Sequence, residues 1–186
     1  MGSLLNRSLM TSIAVFLWSE IAGGADTLGW IEKIQIEPWG VEVKAKLDTG
    51  ALTSSLDAKD IQRFEREGEK WVRFTVNLRD EDSGKRVSER IERPLYRKFI
   101  AKGAGGRVRR PVVLMKVCIG ERLFQDQFSL RDRDDMLYPV LLGRRTIQHL
   151  GKVDVTRTFL HEPACDDDSP VVKAYELEDD ADIGLD

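Results

Sequence analysis

The chain has 186 residues, 41% hydrophobic and 33% charged, enough to bury one sizeable core in a single domain. Its formal net charge of -3 conceals an uneven distribution: residues 26–165 hold 27 basic and 22 acidic side chains, whereas residues 166–186 hold nine acidic ones and a single lysine. The two histidines form no His-Glu-x-x-His, and no phosphate-cradling Gly-x-x-x-x-Gly-Lys loop or fixed-period repeat is present, which argues against a metalloprotease, a nucleotide hydrolase and a repeat protein.

Residues 1–25 read as an export leader. One positive charge precedes an apolar run over 9–18 that is too short to span a bilayer, and Gly23, Gly24 and Ala25 offer small residues for cleavage. The expected mature protein starts near Asp26, is periplasmic or secreted, and has no stable membrane insertion. Period-two alternation then predicts strands over 30–36, 41–47, 71–78 and 86–93, with residues 57–67 including a turn of helix. Asp80-Glu81-Asp82-Ser83-Gly84 is a turn, residues 102–106 form a glycine-rich tip, and 112–119 is a strand that closes a hairpin through Gly120. A short helix is expected over 144–150. Short antiparallel strands with regular turns imply an all-β fold, a small closed barrel with one or two short helices, spanning 26–162. The acidic segment 163–186 is expected to be a disordered tail. Cys118 sits in a strand-like run and Cys165 in that tail; they either pair in an oxidising compartment or remain one buried and one exposed thiol.

The motif with chemistry is Lys46-Leu47-Asp48-Thr49-Gly50-Ala51, followed much later by Val140-Leu141-Leu142-Gly143-Arg144. An aspartate on a tight turn at a strand end can serve as half of a carboxylate pair. Two such groups about 3 Å apart share one proton, so one activates water while the other polarises a carbonyl. The threonine hydroxyl can bond to a neighbouring loop, and the glycine permits close backbone approach.

In order and spacing, the Asp48-Thr49-Gly50-Ala51 turn, the Gly103 to Gly106 tip, the strand ending Cys118-Ile119-Gly120 and the Leu141-Leu142-Gly143-Arg144 run resemble a retropepsin-like aspartic protease. With Thr53-Ser54-Ser55-Leu56 and Arg110-Pro111-Val112-Val113, the chain more closely resembles the bacterial branch called ATP-dependent zinc proteases, over about residues 30–160. The resemblance implies a homodimeric barrel in which Asp48 is catalytic, Thr49 locks the two active-site loops and Gly50 meets substrate backbone. It implies substrate contacts from Ala51, from a flap carrying Gly103, Ala104, Gly105, Gly106 and Arg107, and from Leu142 and Gly143, with Arg144 bracing the catalytic loop. Leu52 departs from the viral pattern, where an acid pairs with that arginine, so the partner of Arg144 is expected elsewhere, with Asp57 a candidate. Residues 30–36 and 153–159 are candidate interface strands.

No metal or other cofactor is expected: His149 and His161 are too few for a zinc site, and His161 with Cys165 makes an exposed pair. The partner expected besides a second copy is a peptide or protein substrate. Arg97, Lys98, Lys102, Arg107, Arg109 and Arg110 crowd the flap segment and favour an acidic one. Nucleic acid is not expected, because the basic residues lack interleaved aromatics. The competing function class is a non-catalytic dimeric module that binds peptide in the same cleft.

Overall fold

A computed structural model describes residues 26–103 and 106–177. The leader, Ala104, Gly105 and the chain beyond 177 lie outside the described residues. Among the described residues, thirteen strands, one α-helix and a 3-10 turn at Ala174–Glu176 follow in chain order. The strands and the α-helix are β1 (Asp26–Gly29), β2 (Ile31–Ile36), β3 (Val41–Leu47), β4 (Ser54–Asp57), β5 (Lys59–Arg66), β6 (Glu69–Arg79), β7 (Arg86–Pro94), β8 (Arg97–Gly103), β9 (Gly106–Ile119), β10 (Arg122–Arg131), β11 (Val140–Leu142), α1 (Arg144–Leu150), β12 (Gly151–Asp154) and β13 (Val171–Lys173).

Alternation is the reason for most of these. In β3, Val41, Val43, Ala45 and Leu47 are buried and the residues between them are half-exposed, so one face of the strand meets the core. The main sheet runs β13-β10-β4-β11-β3-β2-β9-β8, and β10 also pairs with β9. That extra pairing closes the six strands β10, β4, β11, β3, β2 and β9 into a ring. A second sheet, β5-β6-β7, lays Val72, Phe74, Val76, Leu78 and Ile91 against the ring's Ile34, Val43, Val113 and Leu142 in one apolar core. Pairing is mixed rather than purely antiparallel: β11 runs parallel to β3, and β10 runs parallel to both β4 and β13.

Two expectations are corrected. Residues 59–66 are a strand, because Phe64 pairs with Trp71 on β6 and Arg66 lies over the Trp71 ring, which only an extended chain permits. Along β2, only Gln35 and Ile36 pair with β9 as well as with β3, while Trp30 and Ile31 exchange backbone hydrogen bonds with Arg157 and Phe159. The acidic tail is ordered as far as 177. Cys165 is bonded to Cys118, β13 adds to the edge of β10, Ala174 is fully buried, and the Tyr175 ring meets the Tyr96 ring edge-on at 5.9 Å. Composition alone misses this, since a few anchors outweigh the charge of the surrounding residues.

The disulfide joins residues 47 apart and straps the C-terminal segment across the ring. Replacing both cysteines by serine is expected to cost about 2–4 kcal/mol of stability, read as a lower thermal midpoint. An unchanged midpoint would mean that β13 and Ala174 hold the strap unaided.

Candidate active site

Strand β3 ends at Leu47, and the parallel neighbour β11 ends at Leu142, which is paired with it. The two chain segments leaving these strands cross immediately afterwards. The Asp48 amide donates to Leu142 O at 2.9 Å, Arg144 N–H to Ala51 O at 2.8 Å, and Arg145 N–H to Leu52 O at 3.2 Å. Gly143 sits at the crossing, where a Cβ would lie 2.7 Å from Leu52 O, so only glycine allows this approach. The turn closes through Ala51 N–H to Asp48 O and Gly50 N–H to Asp48 Oδ1 at 2.9 Å. Lys46 Nζ lies 3.2 Å from Asp48 Oδ2.

Asp48 lies on the floor of a cleft of about 520 Å³, with Gly50, Ala51, Leu52, Thr53 and Ser55. The β8–β9 hairpin forms its roof through Phe99, Gly106, Val108 and Arg110, and Ser129, Arg131, Arg133 and Leu141 form a wall. Asp48 is the sole carboxylate among these described residues. Of the residues singled out from sequence, Asp48, Gly50, Ala51 and Gly106 line this cleft, and Gly103 pairs with Gly106 at the hairpin end. Thr49 is exposed at the turn, and its carbonyl accepts from Arg144 Nη1 at 2.7 Å. Leu142 and Gly143 are buried behind the turn, and Leu141 presents the wall in their place. Arg107 pairs with Lys102 and is exposed, on the alternation opposite to Val108, so it faces away from the cleft.

Asp57 serves a different arginine from the one expected: it accepts the Arg133 backbone N–H at 2.8 Å and lies 3.2 Å from Lys59 Nζ. Asp57, Asp132 and Asp134 have the spacing of a metal cluster, but all three close on the Lys59 ammonium. Burial opposes that charge, yet the three carboxylates outweigh it and hold Lys59 above its ordinary value. A lysine thus occupies the position a cation would take.

The basic character of the cleft comes in part from Arg131 and Arg133, which sequence reasoning passed over. Of the flap cations nominated, Arg110 faces inward, while Arg97 is tied to Gln127 Oε1 and Thr53 Oγ1. Arg131 and Arg133 come from the end of β10 and the loop beyond it. The Arg133 guanidinium donates to Tyr138 O at 2.9 Å and Ser55 Oγ at 2.7 Å. Burial first, and the charge of Arg131 second, push Arg110 and Arg133 below the ordinary arginine value. Both remain cationic in water, so the cleft holds three like charges that a bound anion would relieve. A pair of arginines closing an apolar strand was the available signal.

Residues 27–164 match the family model for the retropepsin-like aspartic endopeptidase RimB. The chain belongs to the RimB-like family. It is similar to a Legionella pneumophila protein of unknown function, Lpg0085, at 32% identity and a TM-score of 0.60, over 73% of this chain and 98% of that one. It is also similar to probable alpha-L-glutamate ligases, at 32% identity over 63% of this chain for Shewanella halifaxensis and 36% over 56% for Desulfotalea psychrophila. The matched segment is 25% and 22% of those proteins, so the chain spans about a quarter of their length. This RimB-like chain carries its Asp48-Thr49-Gly50 turn and Leu141-Leu142-Gly143-Arg144 run on a ring-like β fold.

One titration at the site's support has a defined sign. Burial pushes the Asp126 carboxyl up, against the Thr146 and Gln127 donors that pull it down. The folded state then binds more protons than the unfolded state above the ordinary aspartate value, so stability falls as pH rises through the folded pKa. In Asp126→Asn that loss is absent, and the difference in unfolding free energy between variant and parent should shift in favour of the variant from pH 4 to pH 7. A pH-independent difference would refute the raised value.

Proposed function

We propose that this RimB-like protein is an aspartic endopeptidase that works as a homodimer, each copy contributing one Asp48, and that it prefers acidic, glutamyl-bearing chains. The observation that carries the reading is a single carboxylate, backbone-locked at the cleft floor beneath a hairpin roof. One carboxylate cannot be acid and base at once, whereas two-fold pairing through this turn supplies the second. The ionised member takes a proton from water as its oxygen adds to the scissile carbonyl carbon. The protonated member gives its proton to the carbonyl oxygen. Collapse of the tetrahedral diol breaks the C–N bond as nitrogen takes up a proton.

The acid preference is supported by Arg110, Arg131 and Arg133 in the cleft and by the names of the ligase relatives, which concern glutamate. Export is supported by residues 1–25 and by the Cys118–Cys165 bond, since such bonds persist in oxidising compartments. A non-catalytic peptide-binding module is favoured by one observation, the Lys46 ammonium beside Asp48, which offsets the charge a reacting carboxylate would use.

Cleavage of a glutamyl peptide by the mature chain decides between them. Asp48→Asn should reduce turnover by about 10²–10⁴-fold or more while leaving peptide binding in place, and specific activity should fall on dilution below the dimer dissociation constant. Full activity from a monomer, or an Asp48→Asn protein as active as its parent, would end the aspartic reading. Arg131→Gln should narrow the preference for glutamyl over glutaminyl peptides by roughly tenfold, the worth of one charge-assisted hydrogen bond. An unaltered ratio would remove the arginines from specificity.

A further inference from the structure

Behind the catalytic turn runs a buried line of polar groups with no part in the peptide chemistry itself. Asp126 on β10 is 1% exposed. Its Oδ1 accepts the Gln127 backbone N–H at 2.6 Å, and its Oδ2 accepts the Thr146 hydroxyl at 2.7 Å. Thr146 Oγ1 lies 2.6 Å from Ser54 Oγ, which accepts the Gly143 N–H at 3.0 Å. A carboxylate can only accept, so the Thr146 proton points at Asp126, the Ser54 proton at Thr146, and a Ser54 lone pair at Gly143. The charge at one end thus sets the direction of every bond up to the glycine at the loop crossing. That glycine stands between Leu142, whose carbonyl takes the Asp48 N–H, and Arg144, which holds Ala51 O and Thr49 O.

We propose that Asp126 is a positioning residue for the Asp48 turn, acting through the hydroxyls of Thr146 and Ser54 on the Gly143 amide. An apolar side chain would fill this interior strand position without the desolvation cost of a carboxylate, so the acid needs a reason to be there. The charged groups facing it are Arg145 and His149, both on α1, and its direct partner on β9 is the uncharged Met115. Protonation of either oxygen breaks a bond. On Oδ1 it displaces the Gln127 N–H; on Oδ2 it turns the Thr146 hydroxyl toward Ser54, where it competes with Gly143. The relay therefore acts in the ionised form and weakens in acid.

The catalytic half of this inference rests on the peptidase reading, and the structural half does not, so the test has two arms applied to Asp126→Asn, Thr146→Val and the parent. In the first arm, amide hydrogen exchange by NMR should show Gly143 and Asp48 exchanging about tenfold faster in both variants, with the core amide of Val113 unchanged. In the second, kcat on a glutamyl peptide should fall by about tenfold or more with KM held within twofold, as expected for a displaced reacting group, and the acid limb of the pH profile should move in Asp126→Asn. Folded variants with parental exchange at Gly143 and parental kcat would overturn the proposal. So would an equal loss of protection at Val113, which marks a general packing role. Should the parent cleave nothing, the exchange arm alone decides, so failure of the peptidase reading is distinguishable from failure of the relay.

Discussion

The close crossing of two loops behind Asp48 is the constraint on which the remaining structure depends. Parallel pairing of β3 with β11 brings Leu47 level with Leu142, and both chains turn out of the sheet at that level. Four backbone and guanidinium bonds then tie residues 48–52 to residues 142–145, and the approach tolerates no side chain at Gly143. Because the bonds are mostly between main-chain groups, the turn's geometry depends little on the side chains that face the cleft. A catalytic carboxylate needs placement to a fraction of an ångström, and rigid elements supply it better than a free loop.

The ring and the three-stranded sheet serve that crossing. The ring is closed by β10 pairing to β9 and β4, and its interior is filled by large apolar side chains such as Phe124, Phe128 and Leu130 from the same strand. Strand β10 also ends in Arg131, and the loop beyond it supplies Arg133, so the element that completes the core also delivers the positive wall of the cleft. The C-terminal strap adds a third tie, since Cys165 and Ala174 fasten it to the body while Tyr175 rests on Tyr96 at the base of the roof hairpin.

Charge in this molecule is arranged by burial rather than by number. The exposed outer face of the hairpin carries Lys98, Arg107 and Arg109, which water screens. The cleft carries as many cations, but Arg110 and Arg133 are partly desolvated and each is repelled by Arg131. An anion placed among them gains more than it would among the surface cations, because field strength rises as water is excluded. The same logic keeps Lys59 from being a vacancy for a metal: its ammonium is enclosed by three carboxylates and is held charged by them.

Alternating apolar residues, the Asp-Thr-Gly turn and the Leu-Leu-Gly-Arg run made most strands, the short helix and the tight turn at Asp48 legible in the sequence, because each depends on residues close together in the chain. Period two is a local property, and so is the need for glycine at a tight approach. The parallel pairings, the strand at 59–66, the pairing of Cys118 with Cys165 and the ordering of the segment up to 177 were decided by tertiary structure. In each, a partner outside the segment itself supplies the stabilising contact: Trp71 for Phe64, the β10 edge for β13 and Cys118 for Cys165. The arginine wall and the Asp126 relay were hidden for the same reason. Asp126, Thr146, Ser54 and Gly143 are scattered between residues 54 and 146, and only a folded ring brings their polar atoms within hydrogen-bond reach.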